Sequence, residues 1–154
     1  MSQPRGLRPF LWLLAAAACT GALPAAAEEP APFSDITPVQ AEALIKARGA
    51  DPLFAIVDTR TPAEFAENRI RGAKNIDVKA PDFADRTAKL DKNATYLVYC
   101  RGGVRSGKAM GLMKAAGFRE VYNLGGGLIK WQEAKLPLEG APLVIESKAT
   151  TRKD

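Results

Sequence analysis

One stretch of this chain has the residue types and spacing for nucleophilic chemistry: Cys100-Arg101-Gly102-Gly103-Val104-Arg105-Ser106, directly after the apolar run Thr95-Tyr96-Leu97-Val98-Tyr99. A thiol is a weak nucleophile until it loses its proton, and a free cysteine does so only near pH ~8.5. A helix N-terminus and a ring of backbone amides both favour the thiolate. Gly102 and Gly103 allow successive N–H groups to turn inward as an anion-binding nest. Arg101, Arg105 and Lys108 place positive charge near the same mouth. Such a loop suits a negative sulfur species and a bound anionic donor together. The plainer alternative is a buried structural cysteine at a strand end, since free cysteines are often buried. Two glycines and two arginines following the thiol at once make poor core and weigh against it.

Other features invite over-reading. Trp131 lies at helical spacing from Leu128 and reads as core. Gly125-Gly126-Gly127 reads as a tight strand-to-helix turn, because a lone glycine run is weak evidence for phosphate binding. The chain contains no histidine. That excludes His-dependent triads and the common zinc sites, so no metal or cofactor is expected. No dense Lys/Arg stripe interleaved with aromatics appears, and nucleic acid is not an expected partner.

The elements that must position Cys100 follow from patterning. Thr95–Tyr99 is the clearest strand, β-branched, aromatic and apolar. Leu53–Val57, closed by Asp58, is a continuous apolar run suited to a strand buried on both faces. Glu120–Leu124 is a further strand, and Lys74–Val78 a weaker candidate. Thr37-Pro38 opens a helix with Thr37 as N-cap, an apolar face of Val39, Ala43 and Leu44, and Gly49 as its end. Thr61-Pro62-Ala63-Glu64 is a capping box opening a short helix. Residues 81–90 are weakly helical. Ala109, Met110, Leu112, Met113 and Ala116 mark a helix stopping at Gly117, and Leu128, Trp131 and Gln132 begin a last one. Strands alternating with helices predict an α/β fold with a mainly parallel central sheet and helices on both faces. Ligands of such sheets sit beyond the carboxyl ends of the strands, where Cys100 falls.

With 154 residues, 47% hydrophobic and 25% charged, the chain suits one domain. Its amino-terminal region reads as a targeting segment. Arg5 and Arg8 supply a positive region, Phe10 to Leu23 an uncharged apolar run, and Ala25–Ala27 a small-residue cleavage site. These are the parts of a secretory signal peptide over residues 1–27. The run is shorter than the ~20 residues a membrane-crossing helix needs. The expected organisation is a linker at 28–33, a domain at 34–146 and a polar tail at 147–154, with a periplasmic location. Ala16–Cys19 loosely resembles a lipoprotein box, so anchoring to a membrane through lipidated Cys19 is the alternative. Either route removes Cys19 as a disulfide partner and leaves Cys100 as the thiol. Loss of Arg5 and Arg8 lowers 22 basic residues to 20 against 17 acidic ones, a net charge of +3. That mild excess suits small anionic ligands in a general way.

The loop Cys100–Ser106 resembles the active-site loop of the rhodanese family. Two further segments match in order: Ile56–Phe65 (IVDTRTPAEF) resembles the family's first motif, and Gly117-Phe118 through Leu124-Gly125-Gly126, followed by Gly127 and Trp131, its C-terminal signature. Leu136-Pro137-Leu138 fits the usual ending. The resemblance covers residues 34–140. It implies a rhodanese-like fold and a thiosulfate sulfurtransferase type of activity: Cys100 takes the outer sulfur of a donor such as thiosulfate, sulfite leaves, and a thiol or cyanide removes the sulfur from the resulting persulfide. It further implies that the amides of Arg101, Gly102, Gly103, Val104 and Arg105 cradle the persulfide, and that Arg105, with Arg101 as second candidate, meets the donor's anion. Asp58, Arg60 and Ser106 would support the site. For Asp58 and Arg60 the competing reading is a strand end and a surface ion pair. The chain departs from the family at Asn68-Arg69-Ile70-Arg71-Gly72, where Gly-His-Ile-Pro-Gly is common, and at Lys135, where Gly is common. A monomer is the default for this size. Two other functions compete. A cysteine phosphatase or arsenate reductase has five residues between Cys and Arg, against four here. A persulfide carrier or partner-docking module, with a protein as sulfur acceptor, would keep the loop without turnover.

Overall fold

The apolar runs around residues 53–57 and 95–99 become neighbouring strands at the centre of a parallel sheet. A computed structural model describes residues 30–141, so the expected signal peptide, Cys19 and the tail lie outside the described residues. The elements in order are β1 (Asp35–Ile36), α1 (Pro38–Arg48), β2 (Phe54–Asp58), α2 (Pro62–Glu67), β3 (Asn68–Arg69), β4 (Lys74–Asn75), α3 (Phe83–Ala88), β5 (Thr95–Tyr99), α4 (Val104–Ala115), β6 (Glu120–Leu124), α5 (Gly127–Glu133) and β7 (Glu139–Gly140). The main sheet has the order β1-β6-β5-β2-β4 and every pairing in it is parallel. β2 and β5 pair from Phe54 opposite Thr95 to Asp58 opposite Tyr99, which ends both strands at the same edge.

Alternation along β5 divides the core. Leu97 and Tyr99 join a cluster with Ile36, Ala41, Tyr122, Leu128 and Trp131, against which Leu44 and Ile45 pack, so α1 and α5 cover that face. Tyr96 and Val98 join Val57, Phe83, Ala109, Met113 and Phe118, so α3 and α4 cover the other. Successive strand side chains point to opposite faces, and full burial of each Leu or Val contributes about 1.5–3 kcal/mol. The fold is therefore the expected α/β sheet with helices on both sides.

Local chemistry sets the helix starts. Thr37 and Thr61 each cap a helix with Pro at its first position, and Gln40 and Glu64 complete the two capping boxes. The expected apolar face of α1 needs correction: Leu44 packs on the core as expected, but Val39 is 67% exposed and Ala43 is exposed too, while Ala41 and Ile45 complete the buried face. Ala41, Leu44 and Ile45 fall at i, i+3 and i+4 on one side of the helix, and Val39 and Ala43, four residues apart, lie on the other. Leu53 likewise falls outside β2 and is exposed. The candidate strand at 74–78 shortens to Lys74–Asn75, although the N–H groups of Ile76 and Val78 still donate to the carbonyls of Asp58 and Thr59. β1, β3 and β7 are two-residue strands that no local pattern announces.

The helix ends differ. α4 closes in a Schellman turn: Phe118 N–H donates to Met113 O, Gly117 N–H donates to Lys114 O, and Gly117 has φ +88°. α5 makes the same pair of bonds, from Leu136 to Trp131 and from Lys135 to Gln132, but its left-handed residue is Lys135, at φ +57°. Lys135 thus makes the turn in a backbone conformation that favours glycine, at the cost of strain. Gly49 ends α1 with right-handed geometry, φ −61°. Lys135→Gly removes a side chain from a conformation that glycine adopts freely, and is expected to stabilise the fold by up to about 1 kcal/mol, read as a higher urea midpoint. An unchanged or lower midpoint would show that the lysine is not strained there.

Candidate functional site

Cys100 leaves β5 at the carboxyl edge of the sheet, next to the end of β2, and the loop it opens runs into α4. The first amides of a helix lack partners within the helix, and a Ser, Thr, Asp or Asn side chain normally caps them. Gly103, at the cap of α4, has no side chain to do so. The sulfur of Cys100 fills that role. Gly103 N–H donates to Sγ at 3.1 Å, and the Ser106 hydroxyl lies 3.4 Å from Sγ and 3.1 Å from the Gly103 carbonyl oxygen.

The residue is only 2% exposed, and burial pushes its thiol up. The Ser106 hydroxyl and the N–H groups of Ser106, Gly102 and Gly103 act against burial and prevail, so the thiol sits below its ordinary value. Burial and anion stabilisation coexist here, which the contrast between a structural and a reactive cysteine does not anticipate.

The loop is held open by the turn after β6. Leu128 N–H donates to Cys100 O at 3.0 Å, and Ile129 N–H to Arg101 O at 3.1 Å. The first free amides of α5 thus take the carbonyls of the cysteine loop, while the amides of that loop face the sulfur. The approach leaves no room for side chains. A Cβ on Gly127 (φ +58°) would lie 2.4 Å from Cys100 O, and one on Gly103 (φ +91°) 2.9 Å from Gly126 N. Gly102, by contrast, has open space around the position of a Cβ, so only one of the two expected loop glycines is sterically required. From β6, the Asn123 amide donates to Gly103 O at 3.2 Å and to the Asp35 carboxylate at 2.8 Å. Gly127 and Asn123 were not marked as site residues by the sequence. The glycine run was the available signal.

The competing reading of Arg60, as part of a surface ion pair, fails. Arg60 is 1% exposed and Asp58 is fully buried. Arg60 Nε lies 3.0 Å from both carboxylate oxygens of Asp58, and Nη2 2.7 Å from Oδ2. Its remaining donors reach Asn68 Oδ1 and Asn68 O, and its guanidinium lies over the Tyr99 ring. The pair ties the end of β2 to the start of β3. Neither residue hydrogen-bonds to Sγ, so their support is one layer removed from the sulfur. The departure at Asn68 has a use here, as the acceptor for Arg60.

Arg105 also differs from expectation. Its Nη1 and Nη2 donate to the two oxygens of Glu64, each at 2.7 Å. That bond, above all, pulls the Glu64 carboxyl down to about 2. Glu64 Oε2 also accepts from the N–H and hydroxyl of Thr61. The residue thus closes a capping box and grips the loop arginine at once. Its helix starts beyond the carboxyl end of β2, beside the loop that follows β5. Arg101 and Val104 lie at the crown of the loop, with Val104 83% exposed.

A cysteine sulfur held at the start of a helix, at the carboxyl edge of a parallel sheet, defines a class of α/β domain with an anion-stabilising sulfur loop. The chain belongs to the rhodanese-like family, whose domain profile, described as "Rhodanese-like domain", matches residues 37–134. The rhodanese-like domain of an Anabaena protein, solved by NMR, superposes with a TM-score of 0.58 at 31% identity, covering 81% of this chain and 89% of that one. A tRNA uridine(34) hydroxylase of Rhizobium etli is 37% identical over 110 residues, 66% of this chain and 35% of its own. A Mycobacterium tuberculosis protein named "Probable adenylyltransferase/sulfurtransferase MoeZ" is 34% identical over 84 residues, 54% of this chain and 21% of its own. The chain therefore spans about a third or less of the length of these two relatives.

Ser106→Ala removes the hydroxyl that helps hold the sulfur's charge. The midpoint of thiolate formation at Cys100, followed by ultraviolet absorbance against pH, is expected to rise relative to wild type. An unmoved midpoint would show that the backbone amides alone set the thiol.

Proposed function

We propose that this chain moves a sulfane sulfur through a persulfide on Cys100. The observation that carries this reading is the sulfur's position at the start of α4, facing loop amides and the Ser106 hydroxyl, with its thiol lowered despite burial. That environment stabilises a negative sulfur, which both the attacking thiolate and the persulfide require. Family membership and the sulfurtransferase in the name of the mycobacterial relative support it. The hydroxylase relatives are matched over only about a third of their length, so their substrate is not carried over.

In the loading step, the Cys100 thiolate attacks the outer sulfur of a donor such as thiosulfate. The donor's S–S bond breaks, sulfite leaves with the electron pair, and Cys100 keeps one added sulfur as S–S⁻. In the unloading step, cyanide or a thiolate attacks that outer sulfur and the Cys100 thiolate is restored. Charge balances in both steps, and neither needs a cofactor. The cradle for the added sulfur is the amides of residues 101–105 with Ser106. The protein acts in the periplasm after removal of residues 1–27. The support for that location is the sequence pattern of Arg5, Arg8, Phe10–Leu23 and Ala25–Ala27.

Residues 28–154 are expected to transfer sulfur from thiosulfate to cyanide and to gain the mass of one sulfur on treatment with thiosulfate. Cys100→Ser is expected to abolish both signals. Stable loading with little turnover would favour a carrier that hands sulfur to a protein acceptor. A folded sample that shows neither signal would overturn thiosulfate as donor.

A further inference from the structure

The charges around the sulfur loop cancel in pairs. Arg60 is engaged by Asp58, and Arg105 by Glu64. Asp58 and Glu64 each act on Arg60 and on Arg105, so the four form one neutral group of two cations and two anions. The Arg105–Glu64 pair is built rather than incidental. It is a two-pronged pair at 2.7 Å on each side, its glutamate is oriented by Thr61, and its arginine stands in the first turn of α4. Such a fork holds an arginine far more firmly than a single contact does. The remaining basic residues near the loop, Arg101 and Lys108, are exposed, where water and salt weaken their field.

We infer that Glu64 sets the charge of the sulfur donor: by occupying Arg105 it disfavours a dianion such as thiosulfate and selects a persulfide whose organic part is uncharged. This rests on the sulfur-transfer reading and deepens it. The persulfide step balances. The Cys100 thiolate attacks the outer sulfur of R–S–S⁻, the S–S bond breaks, R–S⁻ departs with the electron pair, and Cys100 holds S–S⁻. Two negative charges meet in that step, against three with thiosulfate, and a neutral group of side chains does nothing to compensate the third.

The test is the rate of sulfur loading on Cys100, read by intact mass in single turnovers, against the concentration of two donors: thiosulfate and the persulfide of 2-mercaptoethanol. Three forms of the chain are compared: wild type, Glu64→Gln and Glu64→Asp. Glutamine also completes a capping box, so the helix start is retained while the charge is lost. Glu64→Gln is expected to lower the half-saturating thiosulfate concentration about tenfold at low salt, with the maximal rate little changed, and to lose that gain at high salt. Its values with the persulfide should match wild type, and Glu64→Asp, which keeps the negative charge beside Arg105 but is one methylene shorter than the fork requires, should move the thiosulfate half-saturation less than Glu64→Gln does. An unchanged thiosulfate half-saturation in Glu64→Gln, or equal losses with both donors, would overturn the inference while leaving sulfur transfer intact. Failure of every form to load from either donor would overturn the sulfur-transfer reading itself, and the inference with it.

Discussion

The site depends on two hydrogen bonds between loops: Leu128 N–H to Cys100 O and Ile129 N–H to Arg101 O. A chain leaving a strand has its carbonyls and amides on alternate sides. For several amides to converge on one sulfur, the carbonyls between them must find donors elsewhere, because an unpaired buried polar group is costly. The first turn of α5 has spare donors for the same reason that the first turn of α4 has spare amides for the sulfur. Two helix starts therefore complete one another through a single loop. The geometry requires the loop backbone and the α5 backbone to nearly touch, and Gly127 with Gly103 makes that approach possible.

Parallel topology brings the remaining parts to the same edge. β2 and β5 are paired to their last residues, so the segments after them begin side by side. One carries Glu64 and the buried Asp58–Arg60 pair, the other Cys100 and Arg105. A buried ion pair adds little net stability when desolvation is counted, but removing one partner would strand a charge in the core. The Asp58–Arg60–Asn68 arrangement is better understood as fixing where β2 ends and β3 begins, and so where α2 presents Glu64 to the loop.

Much of this was legible in the sequence because it is local. β5 and β6 have the predicted bounds, the Thr37 cap and the Thr61–Glu64 capping box form, and the cysteine loop lies at the strand end as the alternation of elements required. What was not legible depends on partners distant in sequence. Arg105 and Glu64 are 41 residues apart, and nothing near either residue announces the pair. Knowing that β2 and β5 are parallel neighbours would have exposed it, since the carboxylate of the second capping box then faces the loop arginine. β3 and β7 exist only because they pair with each other. Val39 was misplaced because two helical phases fit the apolar residues of α1, and the sheet selects the one that buries Ala41, Leu44 and Ile45 and leaves Val39 and Ala43 outside.

Amide hydrogen exchange, resolved by residue in the wild-type protein, tests the interlocked loops most directly. The account predicts that Gly103, Leu128 and Ile129 exchange as slowly as Leu97 and Val98 in the central strand, because opening the loop would require the sheet edge to open with it. Exchange of these three amides at the rate of an open surface loop, with β5 still protected, would contradict it: the sulfur would then sit in a mobile segment, and its cradle would have to form only on binding a donor.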